Sequence, residues 1–183
     1  EKELFNEINR KSGGISSTLG IYANDADESK TTVTYELRTK ALKDQLPFVF
    51  SMIQEILTKS NLDDEKRLYE ILAQLKSRLQ MVLPSHGHST AVTRATSYFS
   101  ETSDFSERTG GIEFYRVVER LEKHFEEEKA DFIAKLKEVC SYIFCPENLL
   151  VSITCDRSGL EGLDAQLKVL QSCLQPLKGM PHL

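Results

Sequence analysis

No run of apolar residues in this chain of 183 approaches the roughly 20 needed to cross a bilayer, so no membrane span is expected. The opening residues, Glu1-Lys2-Glu3-Leu4-Phe5, lack the basic start and apolar centre of a secretory signal. Positive charge is not in excess either. With 23 basic and 28 acidic side chains and a formal charge of -5 spread along the sequence, there is no electrostatic footprint for a phosphate backbone, and nucleic acid is not an expected partner. Cysteine is sparse and unpatterned. Cys140, Cys145, Cys155 and Cys173 lie at spacings of five, ten and eighteen, matching neither a zinc knuckle nor a Cys-x-x-Cys redox pair, and read as reduced, partly buried thiols of a cytosolic or organelle-matrix protein. The glycine pairs Gly13-Gly14 and Gly110-Gly111 lack the third glycine and the lysine of a phosphate-cradling loop. No serine sits in Gly-x-Ser-x-Gly, so neither Ser16, Ser17 nor the cysteines are supported as nucleophiles.

What is present is enough for one domain. At 40% apolar content, a chain of this length buries about 70% of its unfolded surface. Ile15, Leu19 and Ile21 recur at even gaps. Thr31, Val33, Tyr35, Leu37 and Thr39 then alternate with Thr32, Thr34, Glu36, Arg38 and Lys40, which is the period of half-buried strands. The polar stretch from Asn24 to Lys30 predicts an antiparallel hairpin with a loose loop rather than a tight two-residue turn. From Pro47 the period becomes helical, with Val49, Phe50, Ile53, Ile56 and Leu57 on a face expected to cover the hairpin. Asn61-Leu62-Asp63-Asp64 is a capping stretch before a longer helix carrying Leu68, Ile71, Leu72, Leu75, Leu79 and Leu83, and residues 84 to 87 should interrupt it. A short helix is expected over Ser89 to Tyr98, and a loop over the polar, aperiodic Ser100 to Thr109. Two helices follow, marked by Phe114, Val118, Leu121 and Phe125 and by Phe132, Leu136, Val139 and Ile143. Leu149, Val151, Ile153 and Cys155 predict a third strand, and Leu160 to Leu174 a last helix. Strands at both ends of a helical middle predict an α+β fold in which several helices layer on a mostly antiparallel sheet that the late strand joins.

The residues that chelate or move protons elsewhere have bland readings here. His86 and His88 flank Gly87 at a helix break with no Cys, Asp or Glu close by, and read as a turn with one histidine hydrogen-bonded. Asp63 and Asp64 read as a helix cap. Asp25 and Asp27 lack the glycine and final glutamate of a calcium loop.

A series of short matches in order is more telling. Gly13-Gly14-Ile15-Ser16 opens the hairpin, and Leu75-Lys76-Ser77-Arg78-Leu79, Ser85-x-Gly87-His88-Ser89 and Arg94-Ala95-x-Ser97-Tyr98-Phe99 follow. Gly111-Ile112-x-Phe114-Tyr115, Glu147-Asn148-Leu149 and Val151-Ser152-Ile153-Thr154 complete the run. In this order the chain resembles the C-terminal half of the presequence protease branch of the insulinase-like (pitrilysin) zinc metallopeptidases. It does so over nearly its whole length, least in Asn24 to Lys30 and in the C-terminal tail. That resemblance implies an enzyme of two similar halves, each of two related α+β domains, closing around a peptide-sized chamber. This chain then corresponds to the third, associated domain, which forms chamber wall.

Such peptidases bind zinc through His-x-x-Glu-His on a helix, where the glutamate activates the metal-bound water. The sequence has no such helix. Its nearest approach, His124-Phe125-Glu126-Glu127-Glu128, puts Glu128 where the second histidine belongs and reads as a solvated acidic face. The resemblance therefore implies zinc bound by another domain, no metal and no catalytic residue in this chain, and packing or surface roles for Arg94, Tyr98 and Arg116. The expected partners are other domains of the same polypeptide and unfolded peptides, which could add as a strand at Gly13, Gly14, Ile15 and Ser16. The rival readings are a stand-alone α+β interaction module, binding through the helix faces at Leu68 to Leu83 or Leu160 to Leu174, and an inactive scaffold subunit of the same superfamily. Residues 1–183 are expected as one domain excised from a larger peptidase, with 1–12 as a preceding helix end or linker and 177–183 as a tail or linker. The bacterial cytoplasm is the default location, an organelle matrix the alternative.

Overall fold

The computed structural model describes residues 2–176, so the expected tail at 177–183 lies outside the described residues. It is an α+β structure. In chain order it has α1 (Lys2–Lys11), β1 (Ile15–Asn24), β2 (Asp27–Thr39), α2 (Leu46–Lys59), α3 (Glu65–Ser85), α4 (Gly87–Thr96), α5 (Glu101–Gly110), α6 (Ile112–Lys123), α7 (Phe125–Ile143) and α8 (Leu163–Cys173), with short 3-10 turns at Lys43–Gln45, Pro146–Asn148 and Arg157–Leu160. The chain divides into two compact units. One takes the described parts of Glu1–Thr18, Tyr35–Asn61 and Leu136–Leu183, and the other takes Leu19–Thr34 and Leu62–Lys135.

In the second unit the α3 leucines fall on one face because they recur every three or four residues. Leu72 and Leu79 meet Val118 of α6 and Phe125 of α7 in a buried cluster, flanked by Leu68, Leu75, Phe114, Leu121 and Phe132. Tyr69 and Phe125 add a tilted ring pair with centroids 5.4 Å apart. Asp64 starts α3 as read from sequence, its carboxylate accepting from the Arg67 amide at 2.9 Å. Pro84 is carried in the last turn of α3, and the break falls at His86.

In the first unit α2 packs on α8 and α1, so the face expected over the hairpin is spent chiefly on other helices. Val49, Leu163, Leu170, Leu174 and Cys145 are its buried apolar residues. Lys11 lies over the Phe48 ring at 4.4 Å from its centroid.

Three expectations are corrected. The hairpin closes in a two-residue turn, because the Asn24 side-chain oxygen accepts from the amides of Ala26 at 2.9 Å and Asp27 at 3.1 Å, which lets both strands run further than composition suggested. Ser100 to Thr109 is the helix α5 and not a loop. The Ser100 hydroxyl accepts from the Ser103 amide, Glu101 and Asp104 suit the positive end of the helix, and the buried side of the helix carries a glutamate where a hydrophobic residue would have shown the period. Leu149 to Cys155 is extended at its flanks but joins no sheet. Among the described residues the sheet has only the two strands β1 and β2, and a strand exists only where a neighbour accepts its hydrogen bonds.

Candidate functional site

The strand edge at Gly13 to Ser16 rests on local geometry. α1 ends as the Ser12 amide and hydroxyl return to the Ile8 carbonyl, at 2.9 and 2.7 Å, and the Ser12 hydroxyl then accepts from the Gly14 amide at 3.1 Å. Gly14 has φ +88°, the left-handed region that glycine enters without strain, and this turns the chain into β1. Gly13 donates to the Lys40 carbonyl at 2.7 Å, and the Ser16 hydroxyl reaches the Arg38 carbonyl at 3.4 Å. A two-stranded sheet leaves β1 with one edge that no other strand of the described residues covers. Chemically this is a place for backbone hydrogen bonds, and it holds no acid, base or nucleophile positioned for catalysis.

The histidines are placed apart. His86 sits between α3 and α4, with Nδ1 3.0 Å from the Ser85 hydroxyl and 3.2 Å from the Val82 carbonyl. His88 is exposed on the first turn of α4. His124 lies at the junction of α6 and α7, beside a shallow groove of ≈ 310 Å³ lined by Tyr69 and residues 122 to 127. Its Nδ1 is 3.3 Å from Glu127, while Glu128 turns instead to Arg120 at 3.7 Å, so the one-turn pair His124 and Glu128 does not converge. The groove's other acids are engaged as well. Lys76 donates to Glu122 at 2.9 Å, a hydrogen bond that raises the lysine above the usual amine range, and Lys129 donates to Glu126 at 2.8 Å and to Glu65 at 2.7 Å. Those two bonds push Lys129 to about 12. Among the described residues no three His, Cys, Asp or Glu side chains converge as a metal site. The four cysteines are free.

Sequence reasoning missed a fully buried carboxylate. Glu107 of α5 is 1% exposed. One carboxylate oxygen accepts from the Glu113 amide in the first turn of α6 at 3.2 Å and lies 3.5 Å from the Arg94 guanidinium, which also meets Glu113 at 3.1 Å. The other oxygen, Oε2, is buried with no hydrogen-bond partner. It packs against Gly111, where a Cβ would fall 2.0 Å from Oε2 and 2.6 Å from the carboxylate carbon. Glu107 therefore caps α6 across the α5 to α6 corner and occupies space that only glycine leaves open. Arg94 is thus a packing residue held by two carboxylates and set under the exposed Tyr98 ring at 5.4 Å, whereas Arg116 pairs with Glu113 at the surface. The one sequence signal for this corner is a glycine four residues after a glutamate, which says little without the fold.

This arrangement is a helical packing structure with a strand hairpin, in which no three His, Cys, Asp or Glu side chains of the described residues converge on a metal. By its sequence match over residues 1–121, the chain belongs to the peptidase M-16C associated family. It is 28% identical over 170 residues to Protein HypA of Clostridium perfringens (strain 13 / Type A), a match covering 93% of this chain and 17% of that protein. It is 24% identical over 165 residues to presequence protease 1, chloroplastic/mitochondrial, of Arabidopsis thaliana, covering 88% and 15%. Mitochondrial presequence protease of Debaryomyces hansenii is 28% identical over 138 residues, covering 73% and 13%. The chain thus spans about a sixth of the length of the curated relatives it matches. No helix among the described residues is long and apolar enough to cross a membrane.

Proposed function

We propose that this chain is a noncatalytic wall domain of a zinc metalloendopeptidase that degrades unfolded peptides in a closed chamber. The observation that carries the reading is the match along 93% and 88% of the chain to much longer proteins, one of them a presequence protease, of which it spans only about a sixth. The described residues do not fit a zinc ion, because no three His, Cys, Asp or Glu side chains among them converge and the acids around His124 are ion-paired. The metal and its activated water belong, on this reading, to another domain of the same polypeptide. A peptidase of that kind works in the bacterial cytoplasm or in an organelle matrix, and the relatives named presequence protease carry chloroplastic or mitochondrial names. The chain's own contribution is shape and a backbone edge at Gly13, Gly14, Ile15 and Ser16, where an extended peptide adds as a further strand. Part of the helix faces that a stand-alone interaction module would offer is consumed, since Leu72, Leu79, Leu163, Leu170 and Leu174 are buried in the chain's own cores, while Leu160 stays exposed.

Two measurements test this. The polypeptide as its source makes it should cleave an unfolded peptide and lose that activity to a zinc chelator, while the 183-residue chain cleaves nothing. Cleavage by this chain unaided would overturn the reading. Saturating unfolded peptide should slow amide exchange over Ile15 to Tyr22, and unchanged exchange would remove the strand-addition role.

A further inference from the structure

Between the 3-10 turns at Pro146–Asn148 and Arg157–Leu160 runs a segment with the composition of a core strand and the surroundings of a loop. Leu149-Leu150-Val151-Ser152-Ile153-Thr154-Cys155 contains no charge, no proline and no glycine, and β-branched residues occupy three of its central positions. Leu149 and Asp156 at its two ends have extended backbones. Residues 150 to 155 form no hydrogen bond, by backbone or side chain, with any described residue. They are all exposed, Leu150 to 88%, with Val151 and Ile153 at 39% each.

Sheet edges that stay in water are normally guarded by charges, prolines or bulges, because unpaired N–H and C=O groups beside apolar side chains recruit other strands. β2 is guarded in this way by Glu36, Arg38 and Lys40 at and just beyond its end. The segment from Leu149 to Cys155 carries no such guard. It is also fixed at both ends. The Asn148 side chain donates to the Tyr142 carbonyl at 2.7 Å, and the Asp156 carboxylate accepts from the Gly159 amide at 2.7 Å, with Gly159 itself buried against Cys155. Six residues reach about 20 Å when extended, a typical strand length, and the extended flanks set that direction at both ends.

We propose that Leu150 to Cys155 is an interdomain docking strand, and that its partner is a β-strand from another part of the same, longer polypeptide. The inference rests on the proposed place of this chain within a larger peptidase. It commits to that occupant because the matched relatives are about six times as long as this chain, and because Leu149, Val151, Ile153 and Cys155 form one apolar side suited to permanent burial, while Leu150, Ser152 and Thr154 line the other.

The test is amide exchange on the polypeptide as its source makes it, with peptidase activity measured on the same sample. Residues 150 to 155 should exchange at least roughly a hundredfold more slowly than an open chain, at any protein concentration and without added peptide. Ser152→Pro, which removes one donor, should speed exchange at the neighbouring amides about tenfold or more, and Ser152→Val should not. Open-chain exchange overturns the proposal. So does protection that appears only with added unfolded peptide, which would make the segment a substrate edge, or protection that rises with protein concentration, which would make it a contact between copies. Fast exchange in an active sample overturns this inference alone. Slow exchange in an inactive one overturns the peptidase reading and leaves the docking strand standing.

Discussion

Replacing Gly111 by alanine tests the buried carboxylate directly. The backbone at Gly111 has φ -94° and ψ -157°, which alanine adopts freely, so any cost must come from contact and not from strain in the chain. The new Cβ would lie 2.0 Å from Oε2 of Glu107, 2.6 Å from its carboxylate carbon and 2.9 Å from its carbonyl oxygen. The carbonyl is tied to the Gly111 amide at 2.9 Å and has little freedom, so the carboxylate must swing away. In doing so it gives up the Glu113 amide and the Arg94 guanidinium. A lost cap of about 1 kcal/mol and an overpacked corner of about 1–3 kcal/mol sum to roughly 2–4 kcal/mol. For a chain of this size that lowers the melting temperature by roughly 4–16 °C. Thermal melting, with exchange at the Phe114 to Leu121 amides as a local readout, would register it. In a Glu107→Ala background the two shortest contacts are gone, so the same substitution should cost at least about 1 kcal/mol less. A shift below about 2 °C, or an equal cost in both backgrounds, would refute the packing argument.

The remaining predictions concern titration and thiol chemistry. Lys129 is raised from the ordinary amine value to about 12 by its hydrogen bonds to Glu126 and Glu65, so its contribution is fully present below about pH 10.5 and lost as pH rises through about 12. Urea unfolding across about pH 10 to 12 should show wild type losing more stability than Lys129→Met, and parallel curves would count against the tie. Burial pushes the Cys140 and Cys173 thiols up, Cys145 is buried, and Cys155 is exposed. Alkylation of the 183-residue chain by itself at about pH 8, followed by mass spectrometry, should therefore label Cys155 first and Cys145 last, the latter more than about tenfold slower, and uniform labelling would contradict the described burial.

The parts of the fold that could be read in advance were those in which an apolar period meets an apolar partner nearby in the chain. α3 is the clearest case, since Asp64 supplies its cap and Leu68, Leu72, Leu75, Leu79 and Leu83 its buried face. α6 and α8 were legible for the same reason. The tight turn at Asn24 was not, because it depends on one side-chain oxygen holding two amides, which composition does not distinguish from a loose polar loop. At the candidate edge, Gly13 and Gly14 were visible as a pair, but only the φ of +88° says which of them turns the chain.

α5 and the segment after Asn148 fail in opposite directions for one reason. A hydrophobic period reports what surroundings a stretch needs, and it says nothing about whether those surroundings are supplied. α5 has a polar inner face because a single glutamate, matched by Arg94, the Glu113 amide and the space at Gly111, replaces the hydrophobic stripe, so a buried helix looked like a solvated loop. Leu149 to Cys155 shows the opposite error. Its alternation is sound, yet among the described residues nothing pairs with it, so a strand pattern stands as an exposed, unpaired segment. The first complement is charged and local. The second is apolar, and on the docking-strand proposal it is a strand from elsewhere in a longer polypeptide.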